Sequence, residues 1–286
     1  MVGSKFVIDS TLPPAKLDYQ AVVELGTLGS VCDFLAAKTG LPKLRIKDAM
    51  NKGAVWVSAR GGKHRVRRAT TPIKVGDNIE IHYDADVLAR VPGVAKCLAD
   101  ERDYSVWFKP AGLLAQGSPQ GDHCALLRQV ELYFKPARPV FLVHRLDREA
   151  SGIMVVAHTR QASAGLSALF NEGRVVKRYL VGVSGRTQLT GTIDEPLDGK
   201  SAKTHYETLS FDAEHNESTL SVRIETGRLH QIRRHFDGIG FPVMGDPKYG
   251  RNNSNSEGMR LMAAELEFVC PLSKVPRHYL VPDNNT

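Results

Sequence analysis

Phe141-Leu142-Val143-His144-Arg145-Leu146-Asp147-Arg148-Glu149-Ala150-Ser151-Gly152-Ile153-Met154-Val155-Val156-Ala157 is the stretch on which the reading of this chain turns. Two apolar, β-branched-rich runs, 141–143 and 153–157, flank a charged loop in which one aspartate stands between two arginines. Such runs suit buried strands, and Gly152 suits a sharp turn between them. Asp147, beside buried strand ends and with cationic neighbours, would be held ionised at neutral pH. An aspartate nucleophile or base needs that state. The same residues would also make a plain surface loop closed by ion pairs, which are common.

Outward from this loop, short strands dominate the C-terminal two-thirds. They are expected at 104–108, 140–143, 153–157, 178–183, 204–209, 219–225 and 261–268. A helix over 160–171 places Ala164, Leu166, Leu169 and Phe170 inward, and another begins near Arg228. Strands in runs with few helices imply an α+β domain, 101–286, around a large, mainly antiparallel mixed sheet. Residues 251–258 read as a polar surface loop. Upstream, 86–100 reads as a linker, because Pro92-Gly93 and mixed small residues break any period. Residues 18–85 read as a small α/β module. Val31, Phe34 and Leu35 mark a helix ended by Gly40, and Ile46, Ala49 and Met50 a second ended by Gly53. Val55 and Val57 alternate as one strand, and Ile79, Ile81 and Tyr83 as another. Residues 1–17 read as a loose N-terminal arm.

Composition excludes several classes. A chain that is 42% hydrophobic and 24% charged is ordinary for a soluble globular protein. No apolar run approaches membrane-spanning length and no signal-peptide core opens the chain, so a cytoplasmic protein without membrane contact is expected. Cys32, Cys97, Cys124 and Cys270 include no C-x-x-C pair, and read as free thiols, not as zinc ligands or disulfides. The net charge of +7 is local: residues 26–83 hold 11 Lys and Arg against 4 Asp and Glu, leaving 27 of each sign elsewhere. Its densest part, 60–68, carries Arg60, Lys63, Arg65, Arg67 and Arg68 without an acid. That pattern is the electrostatic footprint expected for a phosphate backbone. A solvated charged loop is the bland alternative.

His144-Arg145-Leu146-Asp147, with Ser151-Gly152 behind it, resembles the catalytic motif of the RluA family of RNA pseudouridine synthases. Four further stretches resemble that family in the same order. They are Tyr104–Leu113 with its Lys109-Pro110-Ala111-Gly112, Val176–Val183 with Lys177-Arg178-Tyr179, Thr226–His235, and Gly240–Gly250. One departure is visible, Ala150 where the family usually has Thr, and the missing hydroxyl is expected to loosen the loop. Residues 18–85, ending in Gly76-Asp77-Asn78-Ile79-Glu80-Ile81, are similar to the S-four-type RNA-binding domain, named after a small-subunit ribosomal protein. There Cys32 replaces the family's usual Arg.

The resemblance implies an RNA isomerase of the pseudouridine synthase fold, acting without cofactor or metal, as a monomer, on uridines of ribosomal or transfer RNA. It implies that Asp147 is the catalytic carboxylate. Tyr179 would hold the uracil and help remove the C5 proton. Arg233 would pair with Asp147, although a backbone-phosphate contact is its simpler role. A stacked uridine must be flipped out to reach the pocket, and Arg145 would occupy the vacated space or contact phosphate. Arg228, Arg234, His230 and Gln231 read as RNA-binding, and His144 as an orienter of the Asp loop. His230 and His235 lie five apart, which does not match the i, i+4 metal pair. Two other classes compete: a non-catalytic RNA-binding or ribosome-assembly protein that kept the fold, and a glycoside hydrolase, which would need two facing carboxylates.

Overall fold

Residues 14–282 are described by the computed structural model of the chain, so most of the expected N-terminal arm lies outside the described residues. By their contacts they form two units. One runs to Val91 and includes Gly117–Cys124; the other comprises Pro92–Gln116 and the chain from Ala125 onward.

The first unit holds β1 (Lys16–Val22), α1 (Val31–Thr39), α2 (Lys43–Asn51), β2 (Val55–Ala59), β3 (Gly62–Arg65), β4 (Asn78–Asp84) and α3 (Ala85–Leu88). Its sheet has the order β1-β4-β2-β3, all antiparallel. Both expected helices form for the expected reasons. Ser30 Oγ accepts from the Asp33 N–H at 3.1 Å, and Gly40 closes α1 at φ 71°, where a side chain is disfavoured. Val31, Phe34, Leu35, Ile46, Ala49 and Met50 bury against Val55, Val57, Ile79 and Ile81. β1 begins inside the stretch read as an arm. Leu17, Tyr19 and Ala21 alternate with Lys16, Asp18 and Gln20 along it and pack half-buried against the core, a period-two signal that the sequence did carry.

The second unit is built on a ten-stranded sheet, and is α+β as expected. Its strands are β5 (Lys96–Asp100), β6 (Tyr104–Lys109), β7 (Phe141–Leu142), β8 (Ser151–Ala157), β9 (Val176–Ser184), β10 (Thr190–Ile193), β11 (Thr204–Asp212), β12 (Glu217–Ile224), β13 (Leu261–Val269) and β14 (Pro276–Leu280). The order is β10-β11-β12-β9-β13-β8-β6-β5, with β14 beside β13 and β7 beside β8. Only β13 and β8 run parallel. The helices α4 (Leu126–Tyr133), α5 (Arg160–Asn171) and α6 (Gln231–Gly238) complete it. Ile153 and Val155 join α5 in one hydrophobic cluster, whereas Met154 and Val156 join α6 in the other. Burial on both faces explains the unbroken apolar run 153–157.

Two readings need correction. The linker 86–100 contains most of α3 and the whole of β5, which pairs with β6 in the large sheet. Gly152 makes no turn; it lies within β8. A Cβ there would sit 2.3 Å from the Ala263 carbonyl oxygen, so glycine is needed for the close approach of β13, and φ is 116°.

Candidate active site

The loop 143–150 leaves β7, carries Asp147 and enters β8. Its backbone is held from below by Lys109, the last residue of β6. Lys109 is fully buried and donates to the carbonyls of Pro110 (3.1 Å), Leu113 (2.8 Å), Arg148 (3.3 Å) and Ala150 (2.6 Å). Gly112 N–H adds a second bond to the Arg148 carbonyl, at 2.7 Å. Burial pushes Lys109 down to about 8, against the opposing charges of Asp147 and Glu149. The Lys109-Pro110-Ala111-Gly112 motif thereby has a physical meaning: it fixes the aspartate loop through main-chain oxygens. Ala150, with no hydroxyl to lend, is anchored by its carbonyl.

His144 orients the same loop from the other side. Its Nε2 accepts from the Val155 N–H at 3.0 Å, and its ring stacks on Phe170 with centroids 4.2 Å apart. Burial, and secondarily Lys177, push it down to about 3, so the ring is neutral and its role is positional.

Asp147 opens into a cavity of about 340 Å³ lined by Arg145, Leu146, Asp147, Ala150, Tyr179, Ile224 and Leu261, together with 227–233. Asp147 is the one carboxylate in that lining. The two-carboxylate arrangement that most glycoside hydrolases need is therefore not formed here. Arg233, the third residue of α6, donates Nη1–H to Asp147 Oδ2 at 2.8 Å. Its Nε and Nη2 donate to Asp246 Oδ2 and Oδ1 at 2.6 and 2.7 Å, a bidentate pair. The Arg233 and Asp246 side chains are 3% and 0% exposed, so this cation is sequestered between two carboxylates. Burial opposes its charge, but the bonds to Asp246 and Asp147 outweigh that and hold it above its usual range. Burial likewise opposes ionisation of Asp246, but the Arg233 bonds and the Lys248 and Tyr249 N–H groups keep its carboxyl low.

Tyr179, on β9, faces the cavity from the sheet. Burial first, and the charge of Asp147 second, raise its phenol above the ordinary range. It enters any reaction as a neutral O–H.

The residues read as RNA-binding separate into two groups. Arg145 is exposed at the cavity and has no ion pair among the described residues, and Leu229 beside it is 56% exposed. Arg228 lines the cavity while its Nε donates to the Ser201 carbonyl at 3.0 Å. Arg234 is spent on a bidentate pair with Asp198 at 2.8 and 3.0 Å. Gln231 is buried; its Oε1 accepts from Thr226 and from the Arg228 N–H, and its Nε2 donates to Lys203 and Thr204. It shapes the loop that leads into α6. In the first unit Arg60 and Arg68 are exposed without an ion pair among the described residues. Lys63 pairs with Glu80 at 2.7 Å. Arg65 and Arg67 are turned inward to Asp122, and to the carbonyls of Gly53 and Ser118 and of Asn51 respectively. Arg65 also covers the Trp56 ring, 4.0 Å from its centroid.

Sequence reading had no role for Lys109 or Asp246, although both lie in the quoted motifs. A lysine directly after the apolar run Val106-Trp107-Phe108 was the available signal for the first. The one potential metal group among the described residues is Glu265, Glu267 and His278 on the β13–β14 hairpin, where Arg178 and His278 already bond Glu265. No helix of the described residues is long and apolar enough to cross a membrane.

The family model for RNA pseudouridylate synthase matches residues 103–237, which contain Asp147, Tyr179 and Arg233. An uncharacterized RNA pseudouridine synthase of Chloroflexus aurantiacus is 33% identical over 274 residues, covering 87% of this chain and 84% of its own. Ribosomal large subunit pseudouridine synthase D of Xanthomonas campestris pv. campestris is 35% identical over 201 residues, 59% of this chain and 60% of that one. Among solved structures, human RNA pseudouridylate synthase domain containing 1 shares the fold, with TM-score 0.57 and 24% identity over 68% of this chain and 86% of that chain. The chain belongs to the RNA pseudouridine synthase family, of the RluA type, and is by that membership an isomerase acting on RNA.

Proposed function

We propose that this protein isomerises specific uridines of ribosomal RNA to pseudouridine, with Asp147 as the essential carboxylate. The observation that carries the reading is Asp147 as the lone cavity carboxylate, bonded at 2.8 Å to an arginine that a second, fully buried aspartate holds in place. The reaction breaks the ribose C1′–N1 bond, turns the uracil and joins C5 to C1′, with the C5 proton lost and N1 protonated. It is balanced without an external reagent. Arg233, bonded to Oδ2, holds Asp147 aimed for work at the sugar or base. Tyr179 offers a flat ring against the uracil and a neutral hydroxyl that relays the C5 proton.

A uridine stacked within a helix cannot present its sugar and base to a carboxylate, so the uridine is flipped out, and Arg145 takes the vacated place in the stack. Ribosomal RNA is favoured over transfer RNA because relatives at 35–37% identity are named large-subunit pseudouridine synthases. The first unit, with an S-four-type order of helices and strands, is an RNA-binding module whose Arg60, Lys63 and Arg68 contact phosphate. The protein works as a monomer in the cytoplasm.

The test is tritium release from ribosomal RNA transcripts carrying 5-tritiated uridine. Wild-type protein releases tritium, whereas Asp147→Asn releases none and still binds RNA. Retained release in Asp147→Asn would overturn the assignment. Absence of release by the wild-type protein would remove ribosomal RNA as its substrate.

A further inference from the structure

His230 adopts a backbone conformation that helix initiation does not require. It sits at φ 52° and ψ 33°, immediately before the first turn of α6, and its side chain caps no helix N–H. Residues other than glycine are uncommon in this left-handed region. Strain that persists at a cleft residue points from geometry to use.

The conformation brings the imidazole between two groups. Nε2 stands 3.7 Å from Asp147 Oδ1, the oxygen not bonded to Arg233. Nδ1 stands 3.0 Å from the Tyr249 hydroxyl. The carboxylate favours a proton on Nε2, which leaves Nδ1 to accept from Tyr249 O–H. Tyr249 is itself fixed: its N–H donates to Asp246 Oδ1 at 3.1 Å, and its ring centroid lies 5.2 Å from the Arg233 guanidinium. Two arms therefore connect Asp246 to Asp147. One passes through Arg233, the other through Tyr249 and His230.

We propose that His230 is a positioning residue for Asp147, the second arm of this closed ring, and that its Nε2–H closes onto Oδ1 when RNA fills the cavity. The inference rests on Asp147 being the catalytic carboxylate. Hydrogen bonds in unliganded active sites are often long and tighten in the complex, which accounts for the 3.7 Å gap. The charged groups facing His230 are Asp147, Arg233, Lys248 and Asp246; burial leads in lowering its proton affinity, so a neutral donor faces the carboxylate. Arg233 alone would leave Asp147 free to swing about one bond. A second contact on the other oxygen fixes its plane.

The decisive variant is His230→Gly, which suits the left-handed backbone and leaves a space the shape of imidazole. Single-turnover tritium release at saturating 5-tritiated ribosomal RNA transcript is expected to slow by about tenfold to a hundredfold, with little change in RNA affinity. Added imidazole is expected to restore part of the rate. Tyr249→Phe keeps the ring, loses the hydroxyl, and is expected to show a smaller drop that imidazole does not repair. An unchanged rate at saturating RNA with weakened binding would make His230 an RNA contact and overturn the proposal. A rate loss that imidazole leaves untouched, accompanied by a lower melting temperature, would make it structural and overturn it equally. Asp147→Asn, run in parallel, separates the two readings. If that variant stays active, the proposed function fails. If it is inactive while His230→Gly is fully active, only the present inference fails.

Discussion

The two units handle charge in opposite ways. In the first, cations are many and mostly exposed: Arg60, Lys63 and Arg68 face solvent in or beside the edge strand β3. In the second, the decisive cations are two, Arg233 and Lys109, and both are buried. An exposed arginine keeps its hydration and acts over a Debye length, so its position matters little and its number matters more. A buried one has surrendered hydration and is held by named partners, so its position is everything. The proposed phosphate grip and the proposed chemistry thus demand different arrangements of the same residue types. Charge on β3 also keeps that edge from pairing with another chain.

The contrast predicts a graded series. The largest effect is expected for Arg233→Gln, which strands Asp246, buried and bonded bidentately, without its cation. Removing one partner of a buried pair costs about 3–5 kcal/mol, so urea midpoints should fall sharply and tritium release should vanish. A variant with near-native stability would show that the pair is less coupled than its burial implies.

Lys109→Met comes next. It removes the ammonium donor shared by four carbonyls, of which Arg148's keeps the Gly112 N–H, a loss of about 1–3 kcal/mol, and tritium release should fall with it because Arg148 and Ala150 belong to the Asp147 loop. Its sign with pH is distinctive. The folded value, about 8, lies below the ordinary value of 10.5, so between these the unfolded chain binds the proton more tightly. Wild-type stability should therefore gain on that of Lys109→Met as pH rises from 8 towards 10.5, and not lose. Parallel urea titrations across that window measure it, and a gap that stays constant would show that Lys109 binds its proton as tightly in the fold as in the unfolded chain.

The smallest effect on the fold is expected at Arg60 and Arg68. Replacing both by Ala should shift unfolding by less than about 0.5 kcal/mol, yet lower the slope of log affinity against log salt by about 0.7 per arginine on single-stranded RNA. An unchanged slope would remove these residues from the phosphate contacts. Arg65 and Arg67, turned towards Asp122, should behave oppositely, with the fold weakened more than the slope.

Much of this was legible before any coordinates. The run 153–157 announced a buried strand, and α1, α2 and α5 were marked by their apolar faces, with glycines closing the first two. What escaped detection had weak local signals. β5, with no fully buried residue, passed for linker, and β10 has only Ile193 buried among its four. β14 pairs along one edge with exposed and half-buried residues alternating. Each pairs with a neighbouring strand in the chain (β6, β11 and β13), but buries too little for its pattern to stand out from a loop. In the site, Asp147, Tyr179 and Arg233 were identified as a set because each lies in a recognisable motif. Gln231 and Arg234 lie in the same motif as Arg233 but turn to internal partners, Thr204 and Asp198 among them. Residue type alone does not distinguish those fates.

The sequence by itself determined the class of sheet, the family, and the concentration of positive charge upstream, and it singled out Asp147 as the candidate carboxylate, because periodicity, motif and composition are local properties. Only the tertiary structure decided which charges are free and which are spent. Lys109 beneath the loop, Asp246 behind Arg233, and the inward turn of Arg65 and Arg67 all depend on burial and on partners distant in sequence. The worth of a charge is set by the solvent it has lost and the group it meets.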